Sequence, residues 1–288
     1  LSERPGHLAV VYRAPPGDKS RLVRAAQMRG LVAGMTGDGV NDAPSLKLAD
    51  VGFAMGSGTD IAREAGDIVI LDDNIASIAR TVLYGRTIFK SIRKFITFQL
   101  TMNLCAVGVS LFGQFIGIES PVTILQILWV NIIMDTLGGL AFAGEPPLAM
   151  YMREKPKKRE ERILSGAMVH QIAVTGSYTL GVCAWYLASP TTAQIFHRDT
   201  SEVYFLALFF ALFIFCGIAN CFAARSERMN LFSSIGRNKP FMFIMSFILC
   251  VQLAMLYFGG ELFRTVPPSA GDLALVALLA MTVLPVDF

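Results

Sequence analysis

The sequence predicts two kinds of structure in one chain: an α/β unit built on a parallel sheet, followed by an all-α polytopic bundle of about six transmembrane helices. The 288 residues are 53% hydrophobic and only 16% charged, which is too apolar for an ordinary soluble chain. The long apolar runs begin only after about Phe95, whereas the preceding residues alternate short apolar segments with polar ones. The membrane part is therefore expected to follow a water-soluble part.

Short strands and helices alternate along the first 74 residues. Apolar segments of four or five residues are predicted as strands, and the segments between them, with apolar residues on one face, as helices. The predicted strands cover residues 8–12, 31–35, 51–55 and 68–71, and the predicted helices cover residues 19–29, 44–49 and 59–65. Repeats of strand, loop and helix favour a parallel sheet covered by helices.

A glycine-flanked aspartate follows the second predicted strand. Gly37 and Gly39 allow the backbone to turn sharply around Asp38 and to approach a ligand closely. Asn41 and Asp42 follow, and these carboxylate and amide oxygens suit Mg²⁺ beside a phosphoryl group. Ligands of parallel sheets bind beyond the carboxyl ends of the strands, where this loop falls. The alternative is that both aspartates only shape a turn, Asp42 by capping the next helix.

Lys19 lies at the start of the first predicted helix, after Pro15-Pro16-Gly17-Asp18. The helix dipole opposes a cation at this end unless the side chain meets an anion. A phosphate is the natural partner, and a solvated surface lysine is the alternative.

Six apolar segments are candidates for spans of about twenty residues. Residues 75–94 are polar and basic at first and become steadily more apolar, which predicts a stalk helix that enters the membrane. The expected domains are therefore residues 1–74, 75–94 and 95–288. The predicted spans cover residues 95–116, 122–143, 168–187, 203–223, 241–258 and 273–286.

Basic residues are concentrated in two of the loops that join the predicted spans. The opposite loops contain only Arg198 and Arg264. The positive-inside rule therefore predicts that the soluble unit, both basic loops and the C-terminus are cytoplasmic. A net charge of +3, with its cations in such short clusters, gives no indication of nucleic-acid binding. The basic loops contain Arg153, Lys155, Lys157, Lys158, Arg159 and Arg162, and Arg225, Arg228, Arg237 and Lys239.

One acidic residue lies in the middle of a predicted span. A charge such as Asp135 at the bilayer centre costs roughly 2.5–3.5 kcal/mol, so it is a functional candidate. Asn131 precedes it by one helical turn and shares its face. Asn103, in the neighbouring span, offers an amide oxygen, unless it only makes an interhelical hydrogen bond. Gly138-Gly139 is expected to let the helix unwind and expose backbone carbonyls.

These three residues supply fewer than the six to eight oxygens that Ca²⁺ takes. Either such a site is weak, or the remaining ligands lie on helices outside this sequence. Other intramembrane polar residues are poorer candidates. Glu145 is expected to mark a helix exit, and the glutamines are interpreted as interhelical contacts: Gln99, Gln114, Gln126, Gln171 and Gln252.

Taken together, these segments resemble the C-terminal half of a P-type ATPase of the calcium-transporting group. The resemblance covers nearly the whole chain, in order and in spacing. It implies a haloacid-dehalogenase-like fold for the partial phosphorylation domain, and it identifies the spans as the fifth to tenth transmembrane helices. The segments that carry it are Pro16-Gly17-Asp18-Lys19, residues 35–44, Gly56-Ser57-Gly58-Thr59, Leu71-Asp72-Asp73-Asn74, residues 128–135 and Glu145-Pro146-Pro147.

The resemblance also implies roles for individual residues. Lys19 resembles the lysine that holds the phosphoryl group, and Asp38 resembles the Mg²⁺-binding aspartate, beside which Asn41 and Asp42 complete the motif and the Mg²⁺ site. The calcium ligands are, by the same resemblance, Asn103, Asn131 and Asp135.

Three departures from the two-calcium pumps are informative. Ala106 and Gly217 stand where those pumps place carboxylates, and Met134 stands where they place a threonine ligand. One of two cation sites has therefore lost its ligands, which is similar to the plasma-membrane type of calcium pump.

The function implied is that of an ATP-driven pump that exports Ca²⁺ from the cytoplasm through an aspartyl-phosphate intermediate. Mg²⁺ is its cofactor, ATP its substrate and H⁺ the candidate counter-ion, with the lipid bilayer of the cell membrane and the N-terminal domains of the same chain as partners. The sequence lacks the Asp-Lys-Thr-Gly-Thr phosphorylation loop, so the chain is expected to be a fragment that is inactive alone. The alternatives are a pump for another cation and a non-catalytic membrane module.

Overall fold

The computed structural model describes residues 15–118, 120–157, 161–225 and 238–287, and the chain divides into two units. The first comprises Leu1–Thr87 with Pro147–Ile163, and the second comprises Ile88–Pro146 with Leu164–Phe288. The strand predicted at residues 8–12 lies outside the described residues. So do four of the cations of the basic loops, which are Lys158, Arg159, Arg228 and Arg237.

Among its described residues, the first unit contains a sheet of three strands in the order β1, β2, β3, and the strands are parallel, as predicted. The strands are β1 (Gly34–Gly37), β2 (Val51–Met55) and β3 (Ile68–Ile70). β1 begins three residues later than predicted, because Gly30, at a φ of +71°, ends the preceding helix in a turn in which the Leu31 N–H donates to the Ala26 carbonyl.

Three helices accompany the sheet: α1 (Pro16–Met28), α2 (Ala43–Leu48) and α3 (Asp60–Ala65). A proline in the first turn of both α1 and α2 favours helix initiation there. Thr59 caps α3 by accepting a hydrogen bond from the Ala62 N–H. Helices α2 and α3 pack on β2, where Leu46, Ala54 and Ala62 are completely buried. The predicted alternation of strands and helices is therefore confirmed in the described residues.

The second unit is helical. Its long helix α4 (Ile75–Phe115) begins in the first unit and has 41 residues. Four helical segments of the described residues are long and apolar enough to cross a membrane, and they are α4, the run Ile124–Ala143, α9 and α10. The other two predicted spans form helices at the expected places, but α11 is short. The remaining bounds are α5 (Ile124–Trp129), α6 (Thr136–Ala143), α7 (Gly166–Ala188), α8 (Pro190–Ile195), α9 (Glu202–Arg225), α10 (Lys239–Phe258) and α11 (Ala270–Met281).

Helix α9 forms the centre of this unit. It is apolar on all sides, and 83% of its most apolar window is buried, as expected for a helix enclosed by others. It packs against α7, α10 and α11. Tyr186 of α7 stacks on Phe205 of α9 and donates its hydroxyl hydrogen to the Phe205 carbonyl at 3.1 Å. The Asn220 amide of α9 donates to the Phe98 carbonyl of α4 at 3.3 Å.

An ion cluster with little exposure lies where four helices of this unit meet. Glu145 follows α6, as the sequence predicts, but its side chain is only 8% exposed. One carboxylate oxygen lies 2.7 Å from Lys94 Nζ, and the other lies 3.4 Å from Arg225 Nε. The Arg225 guanidinium also lies over the ring of Phe241, 4.9 Å from its centroid. Glu145 therefore links α4, α6, α9 and α10 and does more than mark a helix exit.

Candidate functional sites

The loops that follow the three parallel strands are hydrogen-bonded to one another. The Thr59 N–H donates to the Asp38 carbonyl at 2.8 Å, which ties the loop after β2 to the loop after β1. The Ser57 N–H donates to Asp73 Oδ1 at 3.2 Å, which ties the loop after β2 to the loop after β3. The hydrogen bonds from Ser57 also hold the pKa of the Asp73 carboxyl below its ordinary value. The carboxyl edge of the sheet is thus one connected surface.

Lys19 and Asp42 form an ion pair at this edge. Lys19 Nζ lies 2.5 Å from Asp42 Oδ1, and the Asp38 N–H donates to Asp42 Oδ2 at 3.4 Å. Burial raises the pKa of Asp42, but the hydrogen bond and charge of Lys19, with the backbone N–H groups of Asp38 and Gly39, outweigh burial and lower it. The sequence predicted an anion as the partner of Lys19, and in this structure that anion is Asp42.

The two aspartates of the loop have different surroundings. Asp42 is buried, whereas Asp38 and Asn41 are exposed. Within the part of the chain that the structure describes, the Asp38 carboxylate has no hydrogen bond or ion pair. The edge therefore presents one exposed carboxylate beside an ion pair in which only the carboxylate is buried.

The two glycines that flank Asp38 also differ. A Cβ atom on Gly37 would overlap the Cβ of Asp42 and lie 2.9 Å from its Cγ. A Cβ atom on Gly39 would meet no atom closer than 3.9 Å. Gly37 is therefore required for the close approach of Asp42, and Gly39 is not.

A cavity of about 390 Å³ lies between α4 and the run Ile124–Ala143 in the second unit. All three predicted calcium ligands line it. Phe95, Gln99 and Asn103 are spaced four residues apart, so they present one face of α4 to the cavity. The lining residues are Phe95, Gln99, Asn103, Asn131, Asp135 and Thr136.

Asp135 carries the only charge among these lining residues. Gln99 Nε2 donates to Asp135 Oδ2 at 3.4 Å, near the long limit for a hydrogen bond. A half-buried carboxylate among apolar helices is costly unless a cation balances its charge, and no cationic side chain lines the described cavity. The carboxylate therefore favours binding of a cation. The sequence interpretation of Gln99 as an interhelical contact was therefore incomplete, because its neighbour is the charged group of this cavity.

The helix that carries Asp135 departs from α-helical geometry at a different place from the one predicted. A π-helical segment, Val130–Asp135, separates α5 from α6, whereas Gly138 and Gly139 lie inside regular α6. Cβ atoms on these glycines would lie 3.3 Å from the rings of Phe98 and Phe95 respectively. The prediction of unwinding at the glycine pair was wrong, because the glycines serve close packing on α4. The segment that departs from α-helical geometry contains Asn131 and Asp135, in keeping with the frequent occurrence of π segments at functional sites.

The three departures from the two-calcium pattern lie in or beside the buried hydrophobic cluster of the second unit. Met134 is 2% exposed, and a Cβ atom on Gly217 of α9 would overlap its methyl group and lie 2.9 Å from its Sδ. Met102 Cε would be 3.1 Å from the same Cβ atom. Ala106 packs against the same buried cluster. Thioether groups therefore fill the space beside Gly217.

The comparisons with known proteins agree with this picture. A model of the family "Cation transporting ATPase, C-terminus" matches residues 119–288. The chain is 36% identical to calcium-transporting ATPase 12, plasma membrane-type, of Arabidopsis thaliana, over 98% of this chain and 27% of the relative. It is 41% identical to plasma membrane calcium-transporting ATPase 2 of Oreochromis mossambicus, over 90% of this chain and 25% of the relative. The chain thus spans about a quarter of the length of the curated relatives it matches.

The long apolar helices and the open polar pocket between two of them indicate an integral membrane protein with a polar site between its helices. The family match covers more than half of the sequence, and the relatives cover nearly all of it. The chain belongs to the cation-transporting ATPase family, of which it matches the C-terminal region.

Proposed function

We propose that this chain is the C-terminal portion of an ATP-driven pump that exports Ca²⁺ from the cytoplasm through an aspartyl-phosphate intermediate. The supporting observation is the cavity in which Asn103, Asn131 and Asp135 meet without a cationic neighbour in its described lining. Carboxylate and amide oxygens are the hard ligands that Ca²⁺ prefers. The printed names of the relatives point to the same ion.

The strand edge of the first unit is the proposed phosphate and magnesium site. We assign it to a haloacid-dehalogenase-like phosphorylation domain, of which residues 1–74 are the C-terminal part. The exposed Asp38 fits Mg²⁺, because its oxygens are free of partners within the described residues. Mg²⁺ bound there would neutralise charge on a transferred phosphoryl group. Lys19 would leave Asp42 for the phosphoryl oxygens, Asp42 would then be free to support Mg²⁺, and Asn41 would complete the motif.

The proposed topology has six spans, corresponding to the fifth to tenth helices of such a pump, with residues 75–94 as the stalk. Helices α7 and α11 supply the two spans beyond the four long apolar segments. The basic loops support a cytoplasmic location for the soluble unit by the positive-inside rule, and the relatives' names favour the cell membrane. ATP binding and the phosphorylated aspartate are assigned to other parts of the longer protein, which would be partners of this segment, and H⁺ is the counter-ion to test.

The proposed pump carries one Ca²⁺ per cycle. A carboxylate in place of Gly217 would require Met134 and Met102 to move, so apolar groups occupy the region in which a second site would need oxygens. This supports the single-site type.

Uptake of ⁴⁵Ca²⁺ into vesicles by the full-length protein tests the function. ATP-dependent uptake that excess Mn²⁺ or Na⁺ does not suppress is expected, and uptake of a competitor in place of Ca²⁺ would favour the second candidate, a pump for another cation. Absence of any ATP-driven transport would favour a non-catalytic module.

Two substitutions separate the two sites. Asp135→Asn is expected to abolish Ca²⁺-dependent phosphorylation by ATP and to leave phosphorylation by inorganic phosphate intact, because only the ion site loses its charge. Asp199→Asn, at an exposed aspartate of the second unit, is the matched control and should change neither reaction. Asp38→Ala is expected to impair both routes, and normal phosphoenzyme levels in that variant would contradict the Mg²⁺ assignment.

A further inference from the structure

Gln99 occupies a position that the calcium-ligand pattern does not include. It lies one helical turn before Asn103 on α4, and both line the cavity together with Asp135. Its Nε2 donates to Asp135 Oδ2 at 3.4 Å. The hydrogen bond uses the amide nitrogen of Gln99, so the amide oxygen Oε1 is available as a ligand.

The number of oxygens in the cavity supports a ligand role. Asn103, Asn131 and Asp135 together fall short of the six oxygens that Ca²⁺ requires when each amide gives one and the carboxylate gives two. Gln99 Oε1 and the Thr136 hydroxyl, which line the same cavity, bring the side-chain set to that lower limit. Without Gln99 the set would need another water or a ligand from elsewhere.

We propose that Gln99 is a further residue of the transported-ion site, in which Nε2 orients the Asp135 carboxylate and Oε1 binds the ion directly. This inference rests on the proposed function, because it assigns Gln99 to the ion site of that pump. The amide would link α4 to the π-helical segment that carries Asn131 and Asp135. Binding of the ion would then hold the two helices together through both ends of one side chain.

The variants Gln99→Leu and Gln99→Glu of the full-length protein test the proposal. Gln99→Leu removes both ends of the amide, whereas Gln99→Glu keeps the oxygen and the size of the side chain. Gln114→Leu is the matched control, because Gln114 is an exposed residue of the same helix that is not among the lining residues. The assay is ⁴⁵Ca²⁺ uptake over a range of Ca²⁺ concentrations, with phosphorylation by inorganic phosphate as the test of folding.

Gln99→Leu is expected to raise the half-saturating Ca²⁺ concentration at least tenfold and to leave maximal uptake within about twofold. Gln99→Glu is expected to raise the half-saturating concentration less than Gln99→Leu does, because the ligand oxygen is kept although the Nε2 donor to Asp135 is lost. Gln114→Leu is expected to remain within about threefold of the unsubstituted protein. A purely structural role would lower maximal uptake and phosphorylation together instead of shifting the half-saturating concentration.

Luminescence lifetimes of bound Tb³⁺ in H₂O and D₂O give a second readout, with Asp135→Asn as the background. Gln99→Leu should add one water to the ion, because one protein oxygen is lost, and Gln99→Glu should add none. The proposal is overturned if the unsubstituted protein transports Ca²⁺ while Gln99→Leu has unchanged half-saturation and water number, or if Gln99→Glu is as weak as Gln99→Leu. Lack of transport by the unsubstituted protein would instead overturn the proposed function.

Discussion

The glycine before Asp38 gives the sharpest test of how the loop of the proposed phosphate site is built. Gly37 and Gly39 flank Asp38 symmetrically in the sequence, so sequence reasoning assigns them the same role. In the structure, a methyl group on Gly37 would overlap the base of the Asp42 side chain, whereas one on Gly39 would make ordinary contacts. We therefore expect Gly37→Ala to disrupt the loop and Gly39→Ala to be tolerated.

The size of the difference follows from these contacts. The Cγ and Oδ2 atoms of Asp42 would lie 2.9 and 3.0 Å from the new methyl group of Gly37→Ala, and Asp42 cannot swing away, because the overlap involves its Cβ atom. Overpacking of this kind costs about 1–3 kcal/mol. Displacement of Asp42 from the half-exposed Lys19 adds at most about 1 kcal/mol. Gly39 has a φ of −111°, which an alanine adopts, so Gly39→Ala should stabilise by about 0.4–1 kcal/mol.

Hydrogen exchange of the full-length protein, followed by mass spectrometry, measures this difference locally. The peptide to compare covers residues 34–48, which contain β1, the loop and α2. A difference of about 2 kcal/mol between the two variants corresponds to about thirtyfold in protection. Equal loss of protection in Gly37→Ala and Gly39→Ala would refute the argument that only Gly37 is needed for the approach of Asp42.

Three further predictions concern stability. Gly217→Ala should destabilise by about 1–3 kcal/mol because the added methyl group displaces Met134, whereas Gly181→Ala, with open space around it, should cost nothing. Thermal unfolding in detergent compares the two variants, and equal shifts of the unfolding temperature would contradict the packing argument. The pKa of Asp42 is lowered on folding, so its contribution to the free energy of unfolding is complete above the ordinary aspartate pKa and is lost as pH falls through the folded value. Hydrogen-exchange protection of the first unit should therefore decrease below about pH 4, and it should decrease less in Asp42→Asn. Glu145→Gln should destabilise by about 3–5 kcal/mol, because Lys94 and Arg225 lose their counter-charge. An unchanged unfolding temperature would show that Glu145 does not pair with these cations in the folded protein.

Elements with a strong local signal could be predicted from the sequence. Strand β2 has the predicted bounds because four of its five residues are apolar and Gly56 follows them, and the beginning of α3 follows from the Thr59 cap. The calcium-ligand set Asn103, Asn131 and Asp135 was predicted from intramembrane polarity and from resemblance, and the structure places all three around one cavity. Local propensity and the cost of a buried charge are properties of single segments, so the sequence reveals them.

Features that depend on contacts between segments were missed. The partner of Gln99 and the ion partners of Glu145 lie at least 36 positions away in the chain. The π-helical segment was not predicted either. The glycine pair Gly138-Gly139 was interpreted as a point of unwinding because small residues are compatible with both unwinding and close packing. Only the rings of Phe95 and Phe98 beside them distinguish the two.

The charge of the cavity explains why the surrounding amides matter. A single carboxylate such as Asp135 neutralises half the charge of a divalent ion, and the remainder must be balanced by oxygen dipoles or by groups of the longer protein. In the proposed site Met134 fills the neighbouring space, so the polar atoms would surround one ion instead of being divided between two. A residue that orients the lone carboxylate and adds an oxygen then has a larger effect than it would in a site with several carboxylates. The affinity of the proposed site should therefore depend on Gln99 nearly as strongly as on either asparagine.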